Sequence, residues 1–314
     1  MPAEIVTITS PATGDRARVL ISQGCNCFEY RANVRGATID VLWALPGFES
    51  GQERASSSGI PLLFPFPGRI PGTSFTWQGK TYQLEPGDKF GNAIHGFCHT
   101  RPWRVIDSQD DTVEAEFQAG KDDPSLLDRW PSDFRIVAKY EIGGGVLVGT
   151  YTFENVGEGP LPCGFGAHPY FRVPLSRRSQ ADDCIVRLPV TKQWELADML
   201  PTGRVLDWPQ AQEFAAGVPF RALTLDDVFT GLQFEGTRGS ASITDPAGPR
   251  LTISWDQTCR ELVVYTPPHR EAICIEPYTC VPGAMGLAEQ GLDTGLRVLA
   301  PGERVTTRME IRIS

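Results

Sequence analysis

Two side chains suited to carrying protons lie far apart along this chain. His168 sits in Gly164-Phe-Gly-Ala-His-Pro-Tyr-Phe171, a histidine set among small and aromatic residues. Pro169 fixes the chain direction after it, Gly166 and Ala167 leave room for a ligand to approach the backbone, and Tyr170 and Phe171 offer an apolar wall. Glu276 follows the apolar run Ala272-Ile-Cys-Ile275, where an acid is costly to bury without a reason. A carboxylate and an imidazole that meet in the fold form a general base and a general acid. With ordinary pKa values of about 4.3 and 6.5, the glutamate is already ionised at neutral pH. The histidine needs only a modest upward shift to be charged, which a neighbouring carboxylate supplies.

Three further segments offer partners. Gly59 to Thr73 is rich in proline and carries a single charge, Arg69, whose planar fork wants an oxygen-rich partner. Asn92-Ala-Ile-His-Gly-Phe-Cys-His99 places His95 before a glycine, and Leu225 to Phe229 holds adjacent carboxylates at Asp226 and Asp227. Taken singly, each has a structural explanation: a packed core histidine, an internal ion pair, an Asx turn or a solvated pair.

The elements that must position these groups read as strands. Ile5–Thr9, Ala17–Ser22, Phe28–Ala32 and Thr38–Trp43 alternate or run apolar over strand-length windows. Phe134–Ile142 and Val146–Glu154 both alternate around Gly143-Gly-Gly145, a hairpin, and Ala241–Thr244 with Leu251–Trp255 form a second across Asp245-Pro-Ala-Gly-Pro249. The tail Val305–Ile313 alternates strictly and is expected to close a sheet edge. Helical spacing is confined to Trp194–Leu200 and Met285–Leu292. Many short strands without a β-helix-β rhythm predict an all-β chain, a large antiparallel sandwich, whose concave face gathers side chains on a ligand.

With 314 residues, 41% of them hydrophobic, the chain can bury a large core, and neither a linker nor a repeat divides it; residues 1–314 are read as one domain. A net charge of −9 with no basic run argues against nucleic acid or an anionic membrane as partner and for a small molecule or another protein. The start Met-Pro-Ala-Glu-Ile-Val-Thr-Ile-Thr lacks the pattern of a signal peptide, and no long apolar run follows, so a soluble cytoplasmic protein is expected. Reduced thiols are then expected for Cys25, Cys27, Cys98, Cys163, Cys184, Cys259, Cys274 and Cys280, whose spacings frame no zinc site.

In combination the segments resemble the aldose 1-epimerase family, also called galactose mutarotases. The likeness runs in order through Gly59-Ile-Pro-Leu-Leu-Phe-Pro65, Gly68-Arg-Ile70, Ile94-His-Gly96 with Pro102-Trp103 after it, Ala167-His-Pro-Tyr-Phe171, Asp226-Asp-Val-Phe229 and Cys274-Ile-Glu-Pro277. Each motif is short; their order carries the weight. The resemblance implies a single-domain β-supersandwich, monomeric or homodimeric, that interconverts the α and β anomers of a free aldohexose with neither metal nor organic cofactor. It implies Glu276 as general base, His168 as general acid, and Arg69, His95 and Asp226 as contacts to the sugar's hydroxyls and ring oxygen. In the branch that acts on hexose 6-phosphates a second arginine follows Ile-His-Gly; here His99 stands there, with Arg101 two residues on. Two other readings remain beside the epimerase: a hexose-6-phosphate mutarotase, and a non-catalytic sugar-binding or sugar-sensing protein on the same sandwich.

Overall fold

The computed structural model describes residues 3–314; Met1 and Pro2, the first residues of the expected single unit, lie outside the described residues. The Gly-Gly hairpin forms as its sequence predicts. Phe134–Gly143 pairs with Val146–Asn155 from Phe134 opposite Asn155 to Gly143 opposite Val146. The turn residues Gly144 and Gly145 both take positive φ, 62° and 74°, which matches the right-handed twist of the strands they join. Burial alternates residue by residue along both strands. Phe134, Ile136, Ala138 and Tyr140 thus point to the core while Lys139 and Glu141 face water.

This hairpin lies within a ten-stranded antiparallel sheet, and an eight-stranded sheet faces it across the core. The contact between them is aromatic: the ring of Phe64, just past the strand Leu62–Leu63, sits 5.1 Å from Phe134 and 5.3 Å from Phe153. One hydrophobic cluster runs from Ile8 to Ile313 and takes in both sheets. A four-stranded sheet, Ile5–Thr9, Arg16–Leu20, Asn26–Val34 and Ala37–Asp40, adjoins them. It docks where Trp43 N–H donates to the Tyr170 carbonyl at 2.8 Å, next to His168. All-β sandwich architecture is therefore correct. No helix among the described residues is long and apolar enough to cross a membrane.

Two expectations fail. The tail strand, Arg304–Ile313, closes no edge: it runs inside the ten-stranded sheet, between Val146–Asn155 and Arg250–Asp256. Its alternation reveals which face is buried but not which strands lie beside it. Trp194–Leu200 is not helical. It spans the strand Lys192–Ala197 and the start of Leu200–Asp207, joined through Asp198 and Met199 at φ 49° and 66°. The left-handed turn that makes a hairpin here carries no glycine to announce it. The helix expected at Met285–Leu292 is present, shifted, as Ala284–Glu289.

Asp15, fully buried, ties the first sheet to the large hairpin: it accepts from the N–H groups of Asn33 (2.6 Å) and Gly145 (2.8 Å) and from the Thr13 hydroxyl (2.8 Å). Asp15→Ala strands these donors, and urea unfolding should report a loss of about 2–3 kcal/mol. A loss below about 0.5 kcal/mol would show that water replaces the carboxylate without cost.

Candidate active site

The strand Ala272–Tyr278 crosses the middle of the eight-stranded sheet with every residue buried. Its period of two sends Ile273 and Ile275 into the main core and leaves Cys274, Glu276 and Tyr278 on the opposite face. Across from it run Gly166–Ala167 and Tyr170–Arg172, with Gly166 opposite Tyr278 and Tyr170 opposite Cys274. That register puts His168 opposite Glu276, and His168 Nε2 lies 3.3 Å from Glu276 Oε1. The two groups meet because they are cross-strand neighbours.

Their surroundings hold them. Tyr278, two residues beyond Glu276 on the same face, donates its hydroxyl to Glu276 Oε2 at 2.7 Å. The His168 ring stacks on Tyr170, 4.9 Å between centroids and 9° from parallel, and the Tyr170 hydroxyl donates to the Ser56 carbonyl at 2.9 Å. Gly166 does not make room for a ligand as its smallness suggests. A Cβ there would come within 2.6 Å of the Tyr278 ring, so the glycine accommodates the tyrosine that orients Glu276.

A two-stranded ribbon supplies the next pair of groups. Arg69–Ile70 pairs with Ala93–Ile94, and His95 N–H donates to the Gly68 carbonyl at 2.8 Å, so Arg69 and His95 arrive together. The His95 ring stands 5.6 Å from that of His168, nearly perpendicular to it. Asp226 begins the strand Asp226–Thr230, opposite Tyr265, and is exposed at the rim. A cleft of about 230 Å³ brings together all five residues singled out from the sequence: Arg69, His95, His168, Asp226 and Glu276 line it. This volume falls below the ~300–1,000 Å³ of pockets that take drug-sized ligands, and fits one small polar molecule.

Charge in the cleft departs from the sequence expectation. Burial drives the Glu276 carboxyl well above its usual range, against the pull of the Tyr278 hydrogen bond. Burial also pushes His168 down, to about 3, with His99 adding to the effect; the upward shift expected from a neighbouring carboxylate is absent. The reason is desolvation: burial favours the uncharged form of each group, the protonated acid and the neutral imidazole. His95 is likewise held well below its ordinary value by burial and by His168.

Three residues of the site were not marked by the sequence. Tyr278 was detectable, since a strand places residues two apart on one face. Asp88 lies in a turn that reads as surface, yet its carboxylate accepts from Arg69 Nε (2.8 Å), from the N–H groups of Phe90 and Asn92, and from the Asn92 amide. Burial pushes the Asp88 carboxyl up, but these donors outweigh it and hold it below the usual range. Arg54, on the cleft wall, has among the described residues only neutral hydrogen-bond partners, the Ser56 hydroxyl and the Gly87 carbonyl. Of the residues left open, Arg101 pairs with Asp123 at 3.1 Å and does not line the cleft, and His99 is buried behind His95, its pKa lowered by burial to about 4. All eight cysteines are buried and free.

A profile of the aldose 1-epimerase family matches residues 6–312. The chain belongs to the aldose 1-epimerase family. Among its relatives is the uncharacterised protein YphB of Escherichia coli K12, 27% identical over 300 residues, covering 89% of this chain and 93% of YphB. A galactose mutarotase-like protein from Clostridium acetobutylicum has the same fold, with a TM-score of 0.86 at 24% identity over 100% of this chain and 99% of that one. A GalM/aldose epimerase homologue from C. elegans superposes with a TM-score of 0.81 at 17% identity over 99% of each chain. At these identities the two structures establish the fold, and the family is one of sugar epimerases.

Proposed function

We propose that this protein, acting in the cytoplasm as a single domain without a resident metal or organic cofactor, interconverts the α and β anomers of a free aldohexose. Glu276 takes the proton of the anomeric hydroxyl and His168 delivers one to the ring oxygen as its bond to C1 breaks. Rotation about C1–C2 presents the other aldehyde face, and the roles reverse to close the ring. The observation that carries the reading is the 3.3 Å approach of His168 Nε2 to Glu276 Oε1 on the cleft wall. The anomeric and ring oxygens share one carbon, so the groups serving them must be close neighbours.

The buried pair carries one proton between its two members. With the proton on Glu276 the pair is neutral; its transfer to His168 Nε2 yields the carboxylate and imidazolium that the reaction uses, without exchange with solvent. The Arg69 charge, acting through space, and the sugar's own hydroxyls, donating to the carboxylate, favour that charge-separated form. Each proton transfer contributes ~10²–10⁴ in rate. Activity then depends on the pair holding one proton. Because burial drives its two limits apart, kcat/KM should stay flat across neutral pH, and a bell centred there would contradict this.

Arg69 and His95, with Asp226 at the rim, hold the rest of the ring while C1 turns. Asp88 acts through Arg69 as a positioning residue. Asp88→Ala should raise KM about tenfold, a loss of roughly 1.4 kcal/mol in binding, while kcat changes less than threefold. Equal losses in both parameters would show that Arg69 acts in the transition state instead. Polarimetry or exchange NMR on freshly dissolved α-glucose, α-galactose and glucose 6-phosphate tests the activity itself. Binding of a sugar with anomerisation left at the spontaneous rate would assign the protein to sugar sensing.

A further inference from the structure

The register that sets His168 opposite Glu276 also brings in a third side chain. Cys274 lies opposite Tyr170 and two residues before Glu276, on the same face of the same strand. One ligand atom from each of His168, Cys274 and Glu276 lies within 4.8 Å of the other two, and all three side chains are buried. An imidazole nitrogen, a thiolate sulfur and a carboxylate oxygen make a donor set suited to zinc or cobalt(II) and poorly suited to magnesium or calcium. Metal–ligand bonds of about 2.0–2.3 Å at tetrahedral angles place ligand atoms roughly 3.5 Å apart, so side-chain shifts of about 1 Å close the site.

Independent observations point the same way. Glu276 Oε1, the oxygen that faces His168 Nε2, is buried and has no hydrogen-bond partner among the described residues, so the carboxylate has unused capacity for a ligand. Tyr278 fixes the other carboxylate oxygen, as an outer-shell donor does in metal sites. One thiolate and one carboxylate balance a divalent charge, which offsets part of the cost of burying it. Cys274 lies off the cleft wall, whereas His168 and Glu276 line it, so the fourth coordination position opens on the cleft.

We propose that His168, Cys274 and Glu276 form a zinc-binding site whose occupancy blocks the sugar reaction. The thiol and the carboxyl release their protons to solvent as the metal binds, and no redox step is involved. Both proposed proton carriers become ligands, so metal and anomerisation exclude each other. The blocking half rests on the proposed epimerase reaction; the binding half does not.

The test uses the full chain, treated with a phosphine reductant and stripped of metal. Titration with Co²⁺ should saturate at one equivalent with a near-ultraviolet thiolate-to-cobalt charge-transfer band, which Zn²⁺ bleaches and Mg²⁺ leaves intact. Cys274→Ala should abolish the band, as should the near-isosteric Cys274→Ser, which covers the case that the alanine variant fails to fold. In polarimetry, Zn²⁺ should lower the wild-type rate at least tenfold, reversibly with EDTA. Each Cys274 variant, compared with its own zinc-free rate, should need at least about 100-fold more zinc for the same inhibition, since losing a ligand costs more than the ~10–100-fold of losing an outer-shell partner. No stoichiometric cobalt band, or a band that survives in the Cys274 variants, overturns the site. A band with a wild-type rate that zinc leaves unchanged or raises overturns the blocking. Should the wild type anomerise no sugar at all, the cobalt spectrum still decides the metal site.

Discussion

Glu276→Gln should reduce kcat for anomerisation by ~10²–10⁴, toward the spontaneous rate, with KM changed only a few-fold. The substitution separates chemistry from folding unusually well. Burial pushes the Glu276 carboxyl well above its usual range, toward the protonated form, and glutamine has nearly the same shape as a protonated glutamate. The amide oxygen can still accept from the Tyr278 hydroxyl, which donates to Glu276 Oε2 in the native protein. What the amide cannot do is accept a proton. Stability supplies the control. A carboxyl whose folded pKa lies above its unfolded value keeps a proton that the unfolded chain releases, so its contribution becomes less favourable as pH rises from the unfolded value toward the folded one. Glutamine has no such dependence, and the variant should be at least as stable as the wild type at neutral pH. His168→Asn should cost a similar factor, and the double variant little more than the worse single one, because the two groups act as a unit. Losses that multiply in the double variant would mean that His168 and Glu276 act in separate steps, and the shared-proton mechanism would fall.

How much of this could be read from the amino-acid order varies with the kind of interaction. Alternation along Phe134–Gly143 and Val146–Asn155 with two glycines between them is a local signal, and the hairpin follows from it. The position of Arg304–Ile313 within its sheet is not local: it depends on which distant strands pair with it, and nothing in its own pattern states that. Trp194–Leu200 reads as helical because the left-handed turn at Asp198 and Met199 carries neither the glycine nor the asparagine that would ordinarily mark it. The cleft residues were legible as motifs, since residue types suited to proton transfer and to gripping oxygen recur in short, ordered segments. Their protonation was not. It is set by desolvation, which only the completed sandwich imposes, and so His168 shifts opposite to the direction its reference pKa and acidic neighbour suggest. Asp88 is not legible for a related reason: what makes it part of the site is its bond to Arg69, 19 residues away, and no local pattern reveals that.

Gly96→Ala should be among the most damaging single-methyl changes in the chain, and Gly72→Ala shows why. Both glycines adopt φ +67°, so both substitutions force an L residue into the left-handed region at a cost of about 1 kcal/mol. At Gly72 nothing lies within 4 Å of the added Cβ, and the backbone strain is the whole effect. At Gly96 the Cβ would meet the Phe64 carbonyl oxygen at 2.2 Å and its carbon at 2.4 Å, backbone atoms that cannot rotate away. That carbonyl already accepts from Phe97 N–H at 2.8 Å and Cys98 N–H at 3.3 Å, and Phe64 is the residue whose ring bridges the two sheets. Strain plus the loss of these bonds should lower stability by about 3–5 kcal/mol in urea unfolding, against about 1 kcal/mol for Gly72→Ala. The displacement also reaches the cleft, because His95 precedes Gly96 and itself sits at φ +67°. Molecules of the variant that remain folded should bind sugar at least tenfold more weakly, by roughly 1.4 kcal/mol, than the Gly72→Ala protein. Equal stability in the two variants would mean that the chain at Phe64 yields freely, and the close backbone approach would not be what places His95 beside His168.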